Sequence, residues 1–177
     1  GFHFGFNISA SHCKDLSLLD DCRDFIGAFR DNPIKLVLEL TERELIVADE
    51  VTDRLFAELH QLGVFIAIDD FGTGHSSLTY LQTFQVDFLK IDQSFVGMIG
   101  SDALSSHIVE NVIDLATRLG LLLVAEGVET QVQADYLKAR KVGSQQGYLY
   151  GSPMPTTGLA RRLPPRKGPS ARRPAPR

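Results

Sequence analysis

Residues 64–74 read VFIAIDDFGTG. Five apolar residues, Val64–Ile68, stop abruptly at the carboxylate pair Asp69-Asp70, and a glycine-bearing loop, Phe71-Gly72-Thr73-Gly74, follows. A short apolar run without strict alternation is how a strand buried on both faces reads. Working outward, the same punctuation recurs. Phe2–Ile8, Lys35–Leu40, Asp87–Ile91, Leu121–Ala125 and Gln146–Tyr150 complete a set of six expected strands, starting roughly 23–34 residues apart, a spacing that suits one strand, one helix and two loops. Helical patterns fill the intervals. Leu16–Phe29 stops before Asn32-Pro33, Val51–Leu62 before Gly63, Ala103–Leu119 before Gly120, and Thr130–Lys141 before Gly143. Strands alternating with helices through short loops predict an α/β fold with a parallel sheet. An open doubly wound sheet and a (β/α) barrel both satisfy that pattern. A complete (β/α)8 TIM barrel takes about 250 residues and eight strands, so six strands here would make an incomplete one.

The composition bounds the function classes. Of 177 residues, 44% are apolar and 23% charged, enough for one sizeable core and too apolar for a disordered chain. No window approaches the apolar length of a membrane span, and the N-terminus lacks the order of a signal peptide. Cys13 and Cys22 read as reduced thiols of a cytoplasmic protein. The net charge of -4 averages two unlike parts. Arg161–Arg177 holds seven of the 18 basic residues and none of the 22 acidic ones, so residues 1–160 carry -11 and the tail +7. The chain therefore divides into a domain over 1–160 and a basic, proline-rich tail over 161–177, expected to be disordered. Clustered arginines attract phosphates, but nothing else in the sequence supports a nucleic-acid partner, and none is expected.

Polar residues collect where each apolar run ends: Asn7 and Ser9, then Glu39, Thr41 and Glu42, then Asp69 and Asp70, Lys90 and Asp92, Glu126 and Glu129, and Gln146. In βα folds the C-terminal strand ends face one common site. Several carboxylates converging there raise each other's pKa unless a cation is present. The donors are oxygens with no Cys or His, which points to a hard ion: Mg²⁺, Mn²⁺ or Ca²⁺. Adjacent aspartates suit a two-metal arrangement, common in phosphodiester cleavage. Taken singly, each piece has a plainer reading. An Asp-Asp pair is often a turn or cap, Thr41 is a competent helix N-cap, and Gly72-Thr73-Gly74 has no phosphate-loop spacing. Lys90, set between Leu89 and Ile91, is costly without a partner. The five histidines show no ligand spacing and read as surface or capping residues.

Asn-Ile-Ser-Ala, Glu-Leu-Thr-Glu, Asp-Asp-Phe-Gly-Thr-Gly, Leu-Lys-Ile-Asp, Ala-Glu-Gly-Val-Glu-Thr and Gln-Gly-Tyr-Leu-Tyr follow one another in order. From about Phe2 to Pro155 the chain resembles the EAL domain of bacterial cyclic di-GMP phosphodiesterases. The resemblance implies a (β/α)8 barrel variant and hydrolysis of cyclic di-GMP to linear pGpG with Mg²⁺ or Mn²⁺, as two ions. It implies Asn7, Glu39, Asp69 and Asp70 as metal ligands, with Asp70 also in the catalytic set. Glu126 would be a ligand or general base, and Lys90 would hold the attacking water or the phosphate. Glu42 would brace the loop Asp70–Ser76, which the family associates with activity and dimerisation. Glu129 would support the site, Gln146 would complete the water network, and Pro153 would contact guanine.

The sequence departs from the family in two places. The Glu-Ala-Leu segment is absent, and with it a metal-ligand glutamate, a nearby arginine and about two of the eight strands. The expectation is an N-terminally truncated domain of reduced activity, any membrane tether lying in upstream segments. The basic tail replaces the family's last helix. A non-catalytic cyclic di-GMP receptor and a metal-dependent barrel enzyme acting on another phosphate ester stay open as alternatives.

Overall fold

Six strands lie side by side in chain order, every neighbouring pair parallel, in a computed structural model that describes residues 2–29, 34–41, 48–72, 83–100 and 103–155 together with Ile46 and Leu81. They are β1 (Phe2–Ile8), β2 (Ile34–Thr41), β3 (Phe65–Phe71), β4 (Phe88–Ile91), β5 (Leu122–Ala125) and β6 (Ser144–Gln145). The helices are α1 (Ser17–Ala28), α2 (Glu50–Gln61), α3 (Gln93–Gly97), α4 (Ala103–Leu119) and α5 (Gln131–Ala139), with a 3-10 turn at His12–Lys14. This is the expected incomplete (β/α)8 architecture, a curled sheet of six strands with helices on its outer face. The expected boundary at residue 160 and the basic tail lie outside the described residues.

Local chemistry sets the helix limits. Asp49 caps α2 by accepting from the Thr52 amide at 2.9 Å, and the chain leaves α2 through Gly63, whose amide donates to the His60 carbonyl at 2.9 Å. Thr130 and Gln133 form a reciprocal capping box at the start of α5. Between sheet and helices lies the main core, where Leu40, Leu55, Leu59, Ile66, Leu89, Ile91, Val109 and Leu137 are fully buried. His60 is half-buried: its Nε2 lies 3.0 Å from Asp87 Oδ2, which also accepts from the Ile66 amide at 2.8 Å. The imidazole therefore ties α2 to the start of β4, a structural role within the surface-or-capping expectation.

The inner, concave face carries the alternate residues. Val37, Ala67 and Phe88 form a small buried cluster there, with Phe65 and Val124 against it. Above it, towards the strand ends, stand Glu39, Asp69 and Lys90.

One expectation is corrected. The sixth strand is Ser144–Gln145, and Gln146–Tyr150 is a turn in which the Tyr150 amide donates to the Gly147 carbonyl at 3.0 Å. Gly147 (φ 153°) packs against the Val128 backbone so closely that any Cβ would collide with it. The apolar look of Gln146–Tyr150 conceals that contact. The structure also holds α3, a five-residue helix capped by Asp92, for which no expectation was formed because it is too short to show periodicity.

Two predictions follow from this packing. Leu89→Ala, at a wholly buried position of β4, lowers stability by about 2–5 kcal/mol in urea unfolding. Neither Cys13 nor Cys22 is in a disulfide and both are buried. Burial, helped by the neighbouring Asp21 charge, pushes the Cys22 thiol up to about 11. Ellman's reagent at neutral pH therefore titrates both thiols only after denaturant is added.

Candidate active site at the carboxyl ends of the strands

Lys90 is 4% exposed, and three carboxylates surround its ammonium group. Nζ donates to Glu39 Oε2 at 2.6 Å, Asp69 Oδ2 at 3.0 Å and Glu126 Oε1 at 2.7 Å. These residues come from β2, β3, β4 and the loop leaving β5. The parallel chain-order sheet brings them together, because every strand points its carboxyl end the same way. Burial works against the ammonium charge, but its hydrogen bonds to Glu126, Glu39 and Asp69 and the charge of Glu126 outweigh it and hold the Lys90 pKa above the usual lysine range. Glu126 shifts up from the ordinary carboxylate range: burial raises it, the Lys90 contact lowers it, and the charges of Asp69 and Glu39 raise it again. One lysine thus serves three acids and leaves excess negative charge.

A bulge brings the two aspartates to one place. Ile68 pairs with Leu89 and Phe71 with Ile91, so β3 spends one residue more than β4 over this stretch. Asp70 takes a left-handed conformation (φ 55°), and its amide donates to Asp69 Oδ1 at 2.9 Å. In a regular strand neighbouring side chains would point to opposite faces. Here carboxylate oxygens of Asp69, Asp70 and Glu126 lie within 4.8 Å of one another. This all-oxygen set of three acids fits a hard divalent cation.

Gln146 Nε2 donates to Glu126 Oε1 at 2.6 Å, so that oxygen accepts from both Gln146 and Lys90. Beyond Glu126 opens a groove of about 690 Å³ whose lining includes Glu126, Glu129, Gln146, Tyr148 and Pro153. The structure thus gathers Lys90, Glu39, Asp69, Asp70 and Glu126 in one cluster and sets Gln146, Glu129 and Pro153 along the adjoining groove. Asn7 stands beside Glu39 in the β1–β2 register and is exposed. Glu42 and the loop from Thr73 to Ser76 lie outside the described residues.

Two contributors had no role assigned from the sequence, although Asp92 stood among its strand-end polar residues. Asp92 hydrogen-bonds with Asp70 and takes the Ser94 amide at 2.9 Å; burial raises its pKa, but the Ser94 and Asp70 hydrogen bonds win and hold it below the usual carboxylate range. Its place at the end of an apolar run was the only signal. Gly5 is the other: a Cβ there would run into Glu39 Oε1, so the absent side chain makes room for the Glu39 carboxylate.

The EAL domain family model matches residues 1–153. The cyclic di-GMP phosphodiesterase PdeL of Escherichia coli K12 is 47% identical over 154 residues, which is 87% of this chain and 42% of that protein. The chain spans 30% to 42% of the length of four Escherichia coli relatives. Among solved structures, the EAL domain of Mycobacterium smegmatis DcpA superposes with a TM-score of 0.78 at 38% identity, over 88% of this chain and 70% of that one. The EAL enzyme Bd1971 in its cAMP- and cyclic-di-GMP-bound form gives 0.77 at 33% identity, over 90% and 42%. With the family model spanning 153 of 177 residues over a matching fold, the chain belongs to the EAL domain family.

Proposed function

We propose that this domain hydrolyses cyclic di-GMP to linear pGpG in a reaction that depends on Mg²⁺ or Mn²⁺, two ions being held at the strand ends. The observation that carries the reading is the convergence of Glu39, Asp69 and Glu126 on Lys90, with Asp70 beside them, at the mouth of a groove of nucleotide size. PdeL, a relative at 47% identity, is named for this activity, and Bd1971 has been solved with cyclic di-GMP bound. A cytoplasmic site of action fits two buried thiols outside any disulfide.

Asp69 and Asp70 are the residues to hold the first ion, and Glu39 and Asn7 extend the donor set along the neighbouring strands. Such ions supply Lewis acidity at the phosphate and acidify a water. The chain's own groups do the rest. Lys90 presents a permanently charged ammonium to the scissile phosphate or the attacking water. Glu126, held beside Lys90 at the mouth of the groove, is placed to take a proton from that water. Gln146 fixes the Glu126 carboxylate through Oε1 and so positions it. Glu129 and Pro153 line the groove where a guanine base lies. Glu42 braces the loop after Asp70.

Incubation with cyclic di-GMP and Mn²⁺, followed by chromatography for pGpG, tests the reading. Weak turnover is expected of the 177 residues and full turnover once the upstream Glu-Ala-Leu segment is joined to them; in that completed domain Asp69→Asn abolishes turnover together with the calorimetric signal of Mn²⁺ binding. Cyclic di-GMP binding with no turnover even in the completed domain would make it a receptor, and no binding by a folded sample would sink both readings. Lys90→Met leaves clustered buried carboxylates without their counter-charge and costs about 3–5 kcal/mol in EDTA. Added Mg²⁺ then raises the unfolding temperature of Lys90→Met more than that of the parent chain; an equal rise in both would refute the site.

A further inference from the structure

Helix α3, only five residues long, touches both halves of the acid cluster. Its first residue, Gln93, lies against the loop leaving β5: a Cβ on Gly127 would stand 2.4 Å from Gln93 Cβ and 3.2 Å from Gln93 Cα. Its third residue, Phe95, lies against the loop leaving β3: a Cβ on Gly72 would stand 2.8 Å from the ring at Cε2. Both glycines also have positive φ angles, 64° at Gly127 and 96° at Gly72. Gly127 directly follows Glu126, and Gly72 follows Asp70 by two residues. Each half of the cluster is therefore one or two residues from a backbone contact with the same short helix.

Neither contact yields easily. Gln93 meets Gly127 with Cα and Cβ, atoms that the helix backbone fixes, so no change of rotamer relieves the contact. Phe95 packs against the main core, next to the fully buried Val96. The Glu126 loop is held on its other sides as well. The Glu126 amide donates to the Ile91 carbonyl at 3.1 Å, and the Val128 amide to the Gln146 carbonyl at 3.0 Å.

We propose that α3 is a brace that fixes Glu126 relative to the Asp69–Asp70 pair, with Gln93 and Phe95 as positioning residues. Lys90 draws Glu126 and Asp69 together by charge, and the contacts with α3 set where that approach stops. Groups that act on one phosphate lose much of their effect when they move by about 1 Å, so the brace governs what the cluster can do.

Lys90 reads both halves at once, since its ammonium bonds Asp69 at 3.0 Å and Glu126 at 2.7 Å. In the full chain without metal, Gly127→Ala is expected to shift the magnetic resonance signal of Lys90 Nζ, because the added Cβ drives the Glu126 loop off α3. Gln93→Gly in the same chain removes the atom that is struck and is expected to return the signal towards its parent position. Phe95→Ala is expected to shift the signal through Asp69, and Phe95→Leu to shift it less. A packing role alone would lower the unfolding temperature of each variant and leave the signal in place. Mn²⁺ affinity, read by calorimetry, is expected to fall about 10–100-fold in Gly127→Ala and to recover with Gln93→Gly. That arm rests on the proposed ion site, whereas the Lys90 signal does not; a parent chain that binds no Mn²⁺ would count against the ion site and leave the Lys90 signal to decide the brace. Should Gly127→Ala fail to fold, the Phe95 pair decides. An unmoved Lys90 signal in either Gly127→Ala or Phe95→Ala, or a shift that Gln93→Gly does not reverse, would overturn the proposal.

Discussion

One buried ammonium group organises the upper half of this fold. A lysine on a central strand with 4% exposure is costly unless its charge is met. Here it is met by acids from β2, β3 and the exit of β5. The dependence runs both ways. Glu39, Asp69 and Glu126 crowd one another, and only Lys90 among the described residues bridges all three. A single charge thus fastens adjacent strands at their carboxyl ends, where backbone pairing stops and loops begin. It also leaves the cluster short of positive charge, and that deficit is the physical basis for expecting a divalent ion.

The chain reaches this arrangement by breaking the strand period twice. At β3 an extra residue and a left-handed Asp70 place two consecutive carboxyl groups on the same side. At β1 the chain omits a side chain: Gly5 leaves open the space that Glu39 occupies. Both departures sit at the site, consistent with local rules of regular structure yielding where chemistry is required. Asp70 leans in turn on Asp92, whose capping of α3 fixes it in place, so the short helix belongs to the support of the site.

Much of this was legible because parallel strands announce themselves. Five of the six apolar runs, including Val64–Ile68, overlap observed strands, and Glu39, Asp69, Lys90 and Glu126, which lie at the ends of four of them, converge. Glycine marked two helix ends with similar fidelity, Gly63 behind α2 and Gly120 behind α4. The bulge was not legible, since Asp69-Asp70 reads the same in a regular strand or a turn. Nor was the place of β6, where Gly147 is required by a contact with Val128, a residue 19 positions away in the chain. Gly5 escaped notice for the same reason, its partner Glu39 being on another strand. Each miss is a tertiary contact made by a backbone, which side-chain patterns do not record.

The two faces of the sheet divide the labour unequally. The outer face and its helices hold nearly all the buried apolar side chains, while the inner face has a buried cluster of only Val37, Ala67 and Phe88 and a cavity of about 160 Å³ beneath the site. Barrel interiors are usually filled by layers of branched residues. Here Gly5 and Ala67 keep the inner layer small, so stability rests on the helix–sheet layer and the concave face is left to electrostatics. Because successive strand residues alternate between these faces, Leu38, Ile68 and Leu89 anchor the strands while their neighbours Glu39, Asp69 and Lys90 carry the charge. Rigid packing on one side is what lets mutually repelling acids be held a few ångströms apart on the other.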